Sequence, residues 1–170
     1  GHCAENVRDV DLVVYSDAVP EDNVERVSAR ARGIPELFYA QALGQVSREY
    51  RTIVVTGTHG KSTTTAMLGL ILEAAGFDPL VLVGSKVPGW PLGNLRLPKT
   101  LTPNPLPKGE GVWQSIPSPR GRGEGEGQQW FVVEGDDYRD HFLELHPYAV
   151  VVTSIEWDHP DYFRDLSHTI

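Results

Sequence analysis

The chain has 170 residues, 22% of them charged, and a formal net charge of −8. That length suits one ordinary domain or two small lobes, and an acidic balance without a basic stripe argues against nucleic acid as a partner. Cys3 is the only cysteine, which excludes a disulfide framework or a cysteine metal site within the chain. No apolar run approaches the ~20 residues needed to cross a membrane. The opening residues lack the basic stretch and apolar core of a secretory signal, so a cytoplasmic location is expected.

In chain order, Val10 to Tyr15 is a short apolar run of the buried-strand kind. Asp22 to Arg32 carries helical spacing and stops at Gly33, a natural C-terminal cap. Ile34 to Phe38 reads as a second short strand and Tyr39 to Tyr50 as a helix. Thr52 to Thr56 is β-branched and reads as a strand. Lys61 to Ala75 is the strongest helix, with Met67, Leu68, Ile71 and Leu72 expected on one face and Gly76 ending it. Leu80 to Val83 is the next strand. This alternation predicts βαβ units and a parallel sheet, an α/β fold.

Residues 99–128 break the pattern. Proline and glycine make up 11 of these 30 residues, and Pro-x-Pro-x-x-x-Gly-Glu-Gly occurs at Pro103–Gly111 and again at Pro117–Gly125. Such a stretch buries too little apolar surface to offset its ordering entropy, so a low-complexity insertion is expected. Strand patterns resume at Trp130–Val133 and Tyr148–Thr153, and a short helix is expected near Pro160. The chain starts and stops abruptly beside these elements, and a fragment truncated at both ends is expected.

Three stretches carry chemistry. Gly57-Thr58-His59-Gly60-Lys61-Ser62-Thr63 lies between a predicted strand and a predicted helix, the context a phosphate loop requires. Glycines allow a tight turn that aims backbone N–H groups at phosphate oxygens, the helix start faces the anion, Lys61 adds a full charge, and the Ser62 hydroxyl suits Mg²⁺. The loop is shorter than G-x-x-x-x-G-K-[ST], because Val55 stands where the first glycine would fall. Second, Glu134-Gly135-Asp136-Asp137 closes a strand, where a carboxylate faces the crevice of a parallel sheet and can complete a Mg²⁺ shell. A solvated acidic turn is the plain alternative. Third, Glu156-x-Asp158-His159-x-Asp161 follows the last strand. His159 is a candidate ligand for a divalent ion, and the alternative is a helix cap at Asp158.

GTHGKSTTT, VVEGDDY and VVTSIEWDHPDYF, in that order, resemble the central ATPase domain of the Mur ligases. DLVVYSDAVPEDN with GIPEL resembles the end of that family's UDP-binding N-terminal domain, and GNLRL resembles, imperfectly, its substrate loop. The resemblance implies a domain division. Residues 1–48 would close a Rossmann-like UDP-binding domain, and 49–170 would open the central ATP-binding domain around the insertion 99–128. It also implies ATP and Mg²⁺ as cofactors. By position, Lys61 contacts ATP phosphates, Ser62 and Glu134 hold one Mg²⁺, His159 holds or supports a second, and Asn94 and Arg96 touch the uridine-linked sugar. The implied reaction joins L-alanine, or a murein peptide, to UDP-N-acetylmuramic acid through an acyl phosphate in peptidoglycan synthesis. Asp137 stands where the family often has glutamate, and Tyr138 is nearer the peptide-recycling branch, which leaves the acceptor open. Two other classes remain: a nucleotide-binding piece that catalyses nothing, and a related ATP-dependent ligase such as one of folylpolyglutamate synthesis. The Asn94–Arg96 loop and the N-terminal remnant argue against the latter.

Overall fold

A computed structural model describes residues 1–99, 129–136, 138–158, 160 and 162–169. Its elements are β1 (Val13–Tyr15), α1 (Val24–Ala31), β2 (Glu36–Phe38), α2 (Tyr39–Arg48), β3 (Arg51–Thr56), α3 (Lys61–Ala74), β4 (Leu80–Leu82), β5 (Leu95–Arg96), β6 (Trp130–Glu134), β7 (Ala149–Val152) and α4 (Leu166–Thr169). Single 3-10 stretches occur at Ala4–Val7 and Tyr138–Glu144. Both 3-10 stretches and β5 are too short to leave a periodic signature in sequence. Beyond Lys99, the expected insertion lies outside the described residues.

β1 and β2 form a parallel pair on their own. α1 crosses between them; its start is capped by Asn23, whose side chain accepts from the Glu25 amide at 2.9 Å. Arg26 and Arg30 of α1 both donate to the Glu36 carboxylate of β2, at 2.7 and 2.9 Å. Burial alone would raise Glu36, but hydrogen bonds from the two arginines outweigh it and hold the carboxyl below its ordinary value.

The larger sheet has the order β5-β4-β6-β3-β7. All its pairings are parallel except β4 with β5. β3 and β6 are buried on both faces, which is why their central residues read as continuous apolar runs rather than alternating ones. On one face Tyr50, Val54, Phe131 and Val133 pack against Leu43 and Val46 of α2 and Leu145 beyond the 3-10 turn. On the other, Val55, Val81 and Val132 pack against Ala66, Leu68 and Leu72 of α3. The result is a helix–sheet–helix sandwich.

One expectation is corrected. The inward face of α3 runs through Thr65, Leu68, Gly69 and Leu72, while Met67 and Ile71 are more than half exposed. The helix approaches the sheet most closely at Gly69, where a Cβ would meet Val81 Cγ2 at 2.8 Å. That contact fixes the rotation of the helix, and the apolar residues at 67 and 71 are left outside. Among the described residues no helix is long and apolar enough to cross a membrane.

Candidate functional site

β3 lies between β6 and β7, and all three run parallel, so their carboxyl ends open on one crevice. The chain leaves β3 at Gly57, whose φ of 122° is open to glycine alone. A side chain there would also strike Thr153 Oγ1 at 2.5 Å and Ser154 O at 2.6 Å. Gly60, at φ 81°, then starts α3.

The loop between these glycines is braced by the segment after β7. Ser154 accepts the Thr58 amide on its carbonyl and the His59 amide on its hydroxyl, both at 3.0 Å. Thr58 Oγ1 donates to the Glu156 carbonyl at 3.1 Å and accepts the Glu156 amide at 2.8 Å. Thr153 Oγ1 donates to the Thr56 carbonyl at 3.1 Å. With the Thr58 and His59 amides bonded to Ser154, the amides at the start of α3 are the loop's N–H groups suited to an anion. Lys61 Nζ lies over the loop, 2.7 Å from the Gly57 carbonyl. The His59 ring is exposed and stands 3.8 Å from the Glu156 carboxylate. Thr63 is exposed on the first turn of α3.

Ser62 Oγ donates to Glu134 Oε1 at 3.0 Å, joining the first turn of α3 to the end of β6. Two adjacent oxygen ligands of an octahedral Mg²⁺ at about 2.1 Å stand about 3.0 Å apart, so this pair fits the ion on its own geometry. The other carboxylate oxygen accepts the Gly84 amide at 2.5 Å. A Cβ at Gly84 would lie 2.9 Å from Glu134 Oε1, so only glycine leaves room for the carboxylate. Sequence reasoning missed Gly84, Thr153 and Ser154. The signal for Gly84 was its place at the end of the Leu80–Val83 run. Among the described residues no trio of His, Cys, Asp or Glu forms a metal cage, and a Mg²⁺ shared with phosphates does not require one.

A cavity of about 420 Å³ adjoins this pair, lined in part by Lys61, Glu134 and Asn94, by Asp136 and His141, and by Tyr39 of α2. Asn94 reaches it while its amide donates to the Val83 carbonyl at 3.0 Å. Arg96 does not. Its guanidinium turns to the opposite end of the sheet, where it bonds Glu73 at 2.8 Å, Asp78 at 3.0 Å and the Pro79 carbonyl. β5 runs antiparallel to β4, so Arg96, opposite Val81, lies one residue nearer the amino ends of the parallel strands than Leu95, opposite Leu82. In this chain Arg96 is held in a partly buried ion pair away from the cavity. The hydrogen bond that Arg96 donates to Glu73 is the chief cause that raises Arg96, and it lowers Glu73 in return. His159, Asp137 and Asp161 lie outside the described residues.

The arrangement is that of an α/β protein with its ligand crevice at the carboxyl ends of parallel strands. Residues 55–170 match the Mur ligase middle domain, and residues 1–51 match the Mur ligase family catalytic domain. The chain belongs to the Mur ligase family. It is 37% identical over 169 residues to the UDP-N-acetylmuramate–L-alanine ligase of Acetivibrio thermocellus, covering 99% of this chain and 30% of that protein. It is 39% identical to the enzyme of the same name from Desulfitobacterium hafniense, covering 98% of this chain and 31% of that one. The solved UDP-N-acetylmuramate-alanine ligase of Thermotoga maritima superposes with a TM-score of 0.73 at 27% identity, over 99% of this chain and 33% of the other. The UDP-N-acetylmuramate:L-alanyl-gamma-D-glutamyl-meso-diaminopimelate ligase of Neisseria meningitides gives 0.71 at 27%, over 99% and 49%. The chain thus spans about a third of the length of the curated relatives it matches.

Proposed function

We propose that this chain supplies the Mg–ATP site of a cytoplasmic ligase that joins L-alanine to UDP-N-acetylmuramic acid in peptidoglycan precursor synthesis. The carrying observation is the Ser62–Glu134 pair, 3.0 Å apart at the head of α3 and beside Lys61. In this reading the start of α3 and Lys61 cradle the ATP phosphates. Mg²⁺, when bound by Ser62 and Glu134, neutralises charge that develops on the phosphates during transfer. The chain's own work is then positioning and charge stabilisation, which is most of what a protein contributes to phosphoryl transfer. A muramyl carboxylate oxygen bonds the γ-phosphorus as the β,γ P–O bond breaks and ADP leaves, and the acceptor amine then displaces phosphate, giving up a proton to solvent, to form the amide.

The names of the curated relatives favour L-alanine as acceptor. A murein peptide is the second reading, supported by the Neisseria meningitides neighbour. Holding carboxylate, ATP and amine within about 3–3.5 Å of one another draws, in this reading, on parts of the relatives that this chain does not span. Calorimetry of the purified chain with Mg–ATP tests the site. We expect binding that Glu134→Gln weakens about tenfold or more and that Lys61→Ala nearly abolishes. Binding indifferent to both substitutions would overturn the reading. Phosphate release with UDP-N-acetylmuramic acid and L-alanine is expected to stay at background for the isolated chain.

A further inference from the structure

The 3-10 turn Tyr138–Glu144 carries a side chain that the site described above does not use. His141 lies between two carboxylates that belong to different parts of the molecule. Its Nε2 is 3.1 Å from Asp17 Oδ2, just after β1, and its Nδ1 is 3.2 Å from Asp136 Oδ2, two residues beyond Glu134. The ring is largely covered, with 18% of its side chain exposed. The Phe38 ring, at the end of β2, packs against it edge-on with centroids 5.0 Å apart. Tyr39, the first residue of α2, lines the same cavity, and burial followed by the Asp136 charge raises its phenol. Asp17, after β1, and Phe38, of β2, thus meet one imidazole that is rooted beside the Glu134 strand end.

The chemistry selects a role. Each ring nitrogen faces a carboxylate oxygen, so the two partners fix the ring from opposite sides. A ring engaged in this way is not a general base for the acceptor amine. It is a pin between the segment after β1 and the acidic loop, and contacts at both ring nitrogens give it a defined orientation.

We propose that His141 is a positioning residue that couples the N-terminal lobe to the nucleotide site through Asp17 and Asp136. Ordering the Glu134–Asp136 loop around Mg–ATP then orders the Tyr15–Val19 segment and the start of α2, the walls of the cavity opposite Lys61. This rests on the Mg–ATP reading above.

Amide hydrogen exchange of the 170-residue chain, with and without Mg–ATP, tests the coupling. In the unsubstituted chain, Mg–ATP should slow exchange about tenfold or more at Gly57–Thr64 and also at Tyr15–Val19 and Tyr39–Leu43. Asp17→Asn and His141→Phe should each remove the N-terminal protection while sparing that at Gly57–Thr64. The phenylalanine keeps a ring against Phe38, so a role in packing alone would leave the protection intact. The double variant should lose no more than either single one, as expected for partners in one contact. Should His141→Phe disturb folding, Asp17→Asn tests the same pin from the other side. N-terminal protection that survives Asp17→Asn or His141→Phe overturns the proposal. So does protection confined to Gly57–Thr64 in the unsubstituted chain, which would leave the nucleotide reading standing. If Gly57–Thr64 gains no protection at all, both fall.

Discussion

Gly84 shows how a residue without a side chain fixes a carboxylate. Its amide holds one oxygen of Glu134 while its missing Cβ makes room for the other. Gly84→Ala should displace that carboxylate and weaken Mg²⁺-dependent ATP binding, with little change in the melting temperature. Calorimetry against free Mg²⁺ would show it, and unchanged metal dependence would count against the assignment. The loop and Glu134 were legible in the sequence because glycines, Lys-Ser and a strand-end acid are local signals. Arg96 was not, because a two-residue strand reverses direction without any periodic trace and carries the guanidinium to Asp78. Ser154 escaped for another reason: its role is to hold a loop 95 residues away, and no spacing within a short window records that.

At the scale of elements, the α1–β2 junction depends on one carboxylate shared by two arginines. Glu36 titrates below its ordinary value of 4.5, so its contribution to stability is fully present above that pH and is lost as pH falls through the depressed value. Urea unfolding followed across the acid range should therefore lose part of its pH dependence in Glu36→Gln, which should also be less stable at neutral pH. An identical acid profile in the variant would refute the role. α3 offers a second test. Its propensity favours Gly69→Ala, since alanine exceeds glycine by about 1 kcal/mol in a helix. The new Cβ meets the fully buried Val81 at 2.8 Å, and overpacking a stiff β-branched neighbour costs about 1–3 kcal/mol. We expect a net loss of stability of about 1 kcal/mol in urea unfolding. Periodicity identified this helix but not its rotation, because the deciding contact is made by a residue with no hydrophobic weight.

For the whole molecule, the two ends of the segment that sequence reading set apart return to one place. The Lys99 amide donates to the Asp78 carboxylate at 2.6 Å, and the Gln129 side chain donates to the Asp78 carbonyl at 2.9 Å. Replacing residues 100–128 by a short Gly-Ser linker should leave the melting temperature unchanged or higher, since closing a shorter loop costs less entropy. A marked drop would mean that the segment packs on the rest. The strand order has a consequence for how the protein comes into being. β3 and β4 are separated by the width of one strand, and β6 fills that slot. Neither neighbour of β3 has been synthesised when β3 leaves the ribosome, and at about 5–20 residues per second the first arrives about 4–16 s later. Until then the Ile53–Val55 edges lack their partners, and the sheet can close only by late insertion of a central strand. Such long-range pairing is slow, so refolding of this chain should be slow and sensitive to concentration, and helped in the cell by whatever shields an open β-edge from its neighbours.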